Sequence, residues 1–94
     1  MKLSAKEKEI YRRVDEILHY VWDPIGVAEI PLARDEYHSY VPKVFELLIS
    51  GAKYHEISGY LVKLESSSMG MQPSIGKATD VAKLLVETKE ALLE

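Results

Sequence analysis

Apolar residues recur at helical intervals in four stretches of this 94-residue chain, and the period is lost between them. In the first stretch, Ser4-Ala5-Lys6-Glu7 has the capping-box pattern, in which a serine hydroxyl and a glutamate three residues on satisfy each other's backbone amides. Ile10, Val14, Ile17, Leu18 and Val21 then share one face, predicting a helix over about residues 5–21. Asp23-Pro24 stops it, because proline disfavours helical geometry in the residue before it. At about 100° per residue His19 falls opposite the apolar stripe, facing solvent, with Tyr11 and Trp22 on its flank.

Residues 23–34 contain Pro24, Pro31 and Gly26 and hold no sustained period. Ile25, Val27, Ile30 and Leu32 are nevertheless apolar, so the segment is expected to be pinned onto the core by those side chains. A short strand at 25–30 is conceivable but would lack a partner. Asp35-Glu36-Tyr37 reads as a helix start with acids at the positive end of the dipole. Tyr37, Val41, Val44, Phe45 and Leu48 follow on one face. Pro42 costs about 3 kcal/mol in a helix interior. One helix over 35–50 bent at Pro42 is the favoured reading; in the other, Ser39 caps a helix with Pro42 in its first turn. Ser50-Gly51 ends this element. A third helix over about 53–67 presents Ile57, Tyr60, Leu61 and Leu64 to the core and points His55 away. After the break at Ser66-Ser67-Ser68 to Pro73, Ser74 can cap a last helix over about 75–93, with Ala78, Val81, Ala82, Leu85 and Leu92 as its stripe. The expected fold is a single all-α domain over residues 1–94, a compact bundle of about four helices with an ordered Pro/Gly-containing loop after the first.

Composition narrows the function classes. The absence of cysteine removes a disulfide scaffold, a thiol nucleophile and a cysteine-ligated zinc site. No apolar run approaches the roughly 18 residues of a membrane span, and the charged N-terminal residues do not read as a secretory signal, so a cytoplasmic location is expected. The net charge of -3 is unevenly distributed: residues 23–38 hold Asp23, Glu29, Asp35 and Glu36 against Arg34 alone, which equals the whole excess. Lys6/Lys8 and Arg12/Arg13 are interleaved with acids, which reads as ion-pair lacing on a helix and not as a stripe for nucleic acid.

The candidate chemistry is sparse. His19, His38 and His55 lie on three different elements with no metal-protease spacing. His38 alone neighbours acids, Asp35 and Glu36, and could act as a pH-sensitive donor. Asp23, Asp35 and Glu36 fit no calcium-loop spacing; they read as a turn cap and a helix start. Trp22, the only tryptophan, is read as a plug whose N–H donates to a carbonyl, with a binding anchor as the competing role beside Tyr37 and Tyr40. The glycines form no phosphate loop, and no base is placed to activate the serines at 66–68. No catalytic residue, metal ligand or cofactor is assigned.

The order Trp22-Asp23-Pro24-Ile25-Gly26-Val27, Ala33-Arg34-Asp35-Glu36-Tyr37, Tyr40-Val41-Pro42, Ile57-Ser58-Gly59-Tyr60-Leu61 and Met69-Gly70 resembles the YugE-type group of small uncharacterised bacterial proteins over roughly residues 10–90. The resemblance implies an all-helical cytoplasmic bundle and no known activity. That group often has an Asp where this chain has His38, a departure that weakens a strictly acidic metal cluster here.

Three functions are expected in this order. The first is a non-enzymatic interaction module, immunity-like or regulatory, that binds a basic protein partner through Trp22, Asp23, Asp35, Glu36, Tyr37, His38 and Tyr40. The second is a small metal-binding protein or enzyme centred on Asp23, Asp35, Glu36 and His38. The third is a homo-oligomer, because Leu84, Val86, Leu92 and Leu93 exceed what one helix stripe needs.

Overall fold

A computed structural model describes residues 2–94 as four α-helices: α1 (Ala5–Ile17), α2 (Val41–Ile49), α3 (Tyr54–Lys63) and α4 (Ile75–Leu93). There is no strand among the described residues, and no helix is long and apolar enough to cross a membrane. The long α4 packs most extensively on α3 and then on α1, and α2 closes the bundle against α1. The core is one cluster, drawn from Ile10, Val14 and Leu18 at the first helix, Val44 and Leu48 on α2, Ile57 and Leu61 on α3, and Ala78, Val81, Ala82 and Leu85 on α4.

The start of α1 follows its sequence signal. Ser4 Oγ accepts from the Glu7 amide at 3.1 Å, and the Ser4 amide donates to Glu7 Oε1 at 2.8 Å. On its outer side Arg12 pairs with Glu9 and Glu16, and Arg13 with Glu9. Such exposed pairs each add only a few tenths of a kcal/mol.

The end of this first helix departs from simple periodicity. Leu18–Trp22 widen into a π turn, closed by the Asp23 amide donating to the Leu18 carbonyl at 3.1 Å. A turn bonded from i to i+5 sets each later side chain back relative to an α-helix. Val21, expected on the apolar stripe, is therefore exposed, and Trp22, expected on the flank, is buried. His19, expected to face solvent, is also buried, because the segment after the helix folds back over it and places Tyr37 nearby, ring centroids 6.4 Å apart.

The third helix ends in the same way. It leaves α geometry at Leu64, and Leu64–Ser68 form a second π turn, closed by the Met69 amide on the Leu64 carbonyl at 2.9 Å. Within that turn Glu65 is buried. Its Oε2 accepts from the Trp22 indole Nε1 at 3.1 Å, and its Oε1 accepts from the Ser74 amide at 3.1 Å. Its own carbonyl accepts from the Met71 amide at 2.8 Å. The indole is thus a plug, but its partner is a carboxylate and not a carbonyl. Ser74 sits at the N-cap of α4 without a side-chain cap bond; its backbone, tied to Glu65, sets where the helix begins.

Two further expectations are corrected. No helix begins at Asp35: residues 35–40 are turns, with a 3₁₀ turn over His38–Tyr40, and α2 begins at Val41 with Pro42 in its first turn. Proline is tolerated there because the first amides of a helix have no intrahelical acceptor, so Pro42 neither kinks nor interrupts α2. Ser39 makes no cap bond. The segment 23–34 is also not pinned by its aliphatic residues: Val27 packs on the core, whereas Ile25, Ile30 and Leu32 are exposed. Gly51, at φ +87°, ends α2 as expected, in a conformation other residues adopt only with strain.

Replacing Glu65 with Ala strands one buried donor, the Trp22 indole, and releases the part-buried Ser74 amide. A buried orphaned donor costs about 1–3 kcal/mol, and the Ser74 amide can turn to water, so Glu65→Ala should lower stability by about 1–3 kcal/mol. Urea denaturation followed by the fluorescence of the single tryptophan measures this; an unchanged midpoint would show that the pair contributes nothing.

Candidate functional site

The acidic, aromatic segment 22–40 is organised by Asp23. This residue is in the left-handed region at φ +31°, where the π turn ends. Aspartate is one of the few non-glycine residues found there routinely. From that position Oδ1 accepts from the amides of Gly26 at 3.1 Å and Val27 at 2.7 Å, and Oδ2 from the Ala28 amide at 2.9 Å. The Tyr37 hydroxyl donates to Oδ1 at 2.8 Å and accepts from the Ile25 amide at 3.0 Å. One carboxylate therefore gathers three amides and a phenol. Gly26, at φ +81°, lets the chain turn sharply enough to present those amides.

The electrostatics follow from this geometry. Partial burial acts to raise the Asp23 carboxyl, but the bonds from Val27, Tyr37, Ala28 and Gly26 outweigh it and hold the group below its ordinary value. Burial, with Asp23 beside it, pushes the Tyr37 hydroxyl well above its ordinary range. Tyr37 is therefore a neutral donor under all ordinary conditions.

A second brace holds the far end of the segment. Arg34 reaches back to α1 and binds Asp15 through two nitrogens, at 3.1 and 2.8 Å, while its guanidinium lies 5.2 Å from the centre of the Tyr20 ring. The bond to Asp15 raises the guanidinium pKa further, so Arg34 keeps its charge. His38 joins the same carboxylate, with Nε2 3.2 Å from Asp15 Oδ1. The histidine thus faces α1 and not Asp35 or Glu36. Beside it lies an open groove of about 390 Å³ lined by Lys8, Tyr11, Arg12, Asp15, His38 and Val41.

The residues proposed from sequence separate into two groups. Trp22 and Tyr37 are buried and Tyr40 half-buried, forming an aromatic cluster with ring centroids 5.4 and 6.3 Å from the indole. Asp35, Glu36 and His38 lie on the outside. Asp23 stands between the groups, its oxygens already occupied by N–H and O–H donors. No group of three or more His, Asp or Glu side chains is close enough to hold a metal among the described residues. The outer face instead displays Leu32, 96% exposed, with Ile25, Ile30, Glu29, Asp35 and Glu36.

Sequence reasoning missed Glu65, His19 and Asp15. Glu65 had a usable signal: it lies four residues after Leu61 and eight after Ile57, on the apolar stripe. His19 and Asp15 had none, because the segment that covers the first and clamps the second comes from elsewhere in the chain. The His19 Nδ1 is buried without a hydrogen-bond partner.

No family model matches the chain, and no curated protein or solved structure is significantly similar to it.

The contribution of Asp23 should depend on pH. Because its folded pKa is depressed, the stabilisation is complete above the ordinary carboxylate value of 3.8 and is lost as the pH falls through the lower folded value. Asp23→Ala should therefore cost about 1–2 kcal/mol at neutral pH, and the deficit relative to wild type should shrink in acid. Urea midpoints of both proteins across the acid range test this; a deficit that stays constant with pH would contradict it.

Proposed function

We propose that this chain is a non-enzymatic protein-interaction module, immunity-like or regulatory, that binds a basic protein partner through the outer face of segment 22–40. The observation that carries the proposal is Leu32: it stands 96% exposed on a loop held from beneath by Asp23 and clamped by Arg34 to Asp15. A mobile loop would have to be ordered on binding. One already braced avoids most of that cost, so an exposed leucine on it makes an effective anchor. With Asp23 turned inward and Arg34 committed to Asp15, the charges left outside are Glu29, Asp35 and Glu36. A surface of that sign speeds encounter with a basic partner.

This reading keeps the segment expected from sequence and changes its contact residues. Trp22 and Tyr37 support the surface from within, and Ile25, Ile30 and Leu32 supply the apolar contact. The metal or catalytic reading draws less support, because Asp23 and His38 are committed to different partners. A cytoplasmic location and kinship with the YugE-type group belong to the same proposal and rest on sequence alone.

The test compares wild type, Leu32→Ser, and the double variant Asp35→Lys with Glu36→Lys as baits in extracts of the native cell. All three should unfold at similar urea concentrations, within about 0.5 kcal/mol, because these side chains are exposed. A protein recovered by wild type and lost by both variants is the expected outcome. Equal recovery by all three would remove segment 22–40 as the interface.

A further inference from the structure

We propose that the cleft between α1 and α2 is a second docking site, which takes an amphipathic helix whose apolar face is flanked by Lys or Arg. The cleft encloses about 440 Å³, and its walls include Leu3, Tyr11, Pro42, Phe45 and Ile49. None of residues 20–36 lines it, so it is separate from the loop surface. Its floor is preformed: Tyr11 and Phe45 meet edge to face, with ring centroids 5.1 Å apart. The chain leaves this lining incompletely covered, since Ile49 is 38% exposed and Phe45 only partly buried.

Charge selects the occupant. Among the described residues, the ionisable side chains in the lining other than tyrosine are Glu7 and Glu46. Glu7 spends one oxygen on the Ser4 amide. Glu46 forms a long, exposed i,i+3 ion pair with Lys43 at 3.9 Å, with no hydrogen bond and a side chain 73% exposed, so a partner's cation can share it at little cost. Both carboxylates thus retain free oxygens at the rim of an apolar trough. Two neighbouring helices that leave a trough between them offer the geometry in which a third helix seats side chains spaced i, i+3 and i+4. The neighbouring groove beyond Tyr11 adds Lys8 and Arg12, but Arg12 is already paired with Glu9 and Glu16.

The probe is a synthetic leucine–lysine amphipathic peptide of about fourteen residues, enough for roughly four turns. It is titrated into the ¹⁵N-labelled full chain, with a leucine–glutamate peptide of the same pattern as the comparison. Amide shifts should appear at Tyr11, Phe45 and Ile49 with the lysine peptide, and at least about tenfold higher concentrations of the glutamate peptide should be needed. Ile49→Ser and Glu46→Lys, both at exposed positions, should each weaken binding at the cleft about fivefold, while Leu32→Ser should leave it unchanged. Equal affinity for the two peptides would overturn the proposal. So would wild-type binding by both cleft variants, or shifts confined to residues 20–36.

Discussion

The hydrogen bond from the Trp22 indole to the buried Glu65 carboxylate is the constraint on which the rest of the structure depends. It joins the π turns that end α1 and α3, and the second oxygen of Glu65 fixes the residue before α4. A buried carboxylate is costly unless it is hydrogen-bonded, and here two N–H donors meet it at 3.1 Å. Each partner depends on the other, because an unpaired indole N–H and an unpaired carboxylate are both unfavourable in a core. The pair thereby ties the C-terminal ends of the first and third helices together and sets where the link into α4 runs.

The π turns are what make this pairing available. In each case one wider turn at the C-terminal end of a helix redirects the side chains that follow it. Trp22 moves into the core and Val21 moves out. With Trp22 inside, Tyr37 and Tyr40 pack around it and draw the segment after α1 across the bundle. That segment covers His19 and brings Arg34 and His38 to Asp15. The outward Leu32 and the inward Asp23 are consequences of the same placement.

The segment also separates its polar braces from its apolar surface. Its polar network faces inward, where Asp23 and Tyr37 satisfy loop amides that would otherwise need water. Ile25, Ile30 and Leu32 face outward, where they add nothing to the core. A loop whose sole task was to cover the bundle would bury Ile25, Ile30 and Leu32. Their exposure is the observation that supports the binding role proposed for this surface.

The number and order of the helices, the capping box at Ser4, the stop at Gly51 and the stripe of α4 were legible in the sequence, because each depends on residues within a turn or two of one another. The location of the acidity at 23–38 was legible for the same reason, and so was the turn-capping role of Asp23. Periodicity could not reveal the two π turns, since it assumes an unbroken helical phase, and so it misplaced Val21 and Trp22; His19 was misplaced because a later segment covers it. It also gave Asp35 a helix that Pro42, more stable in a first turn, postpones to Val41. The pairing of Trp22 with Glu65, and of Arg34 and His38 with Asp15, was decided only by the tertiary structure. These contacts join residues 19 to 43 positions apart, and their free energy comes from removing polar groups from water together, which no local pattern of residues records.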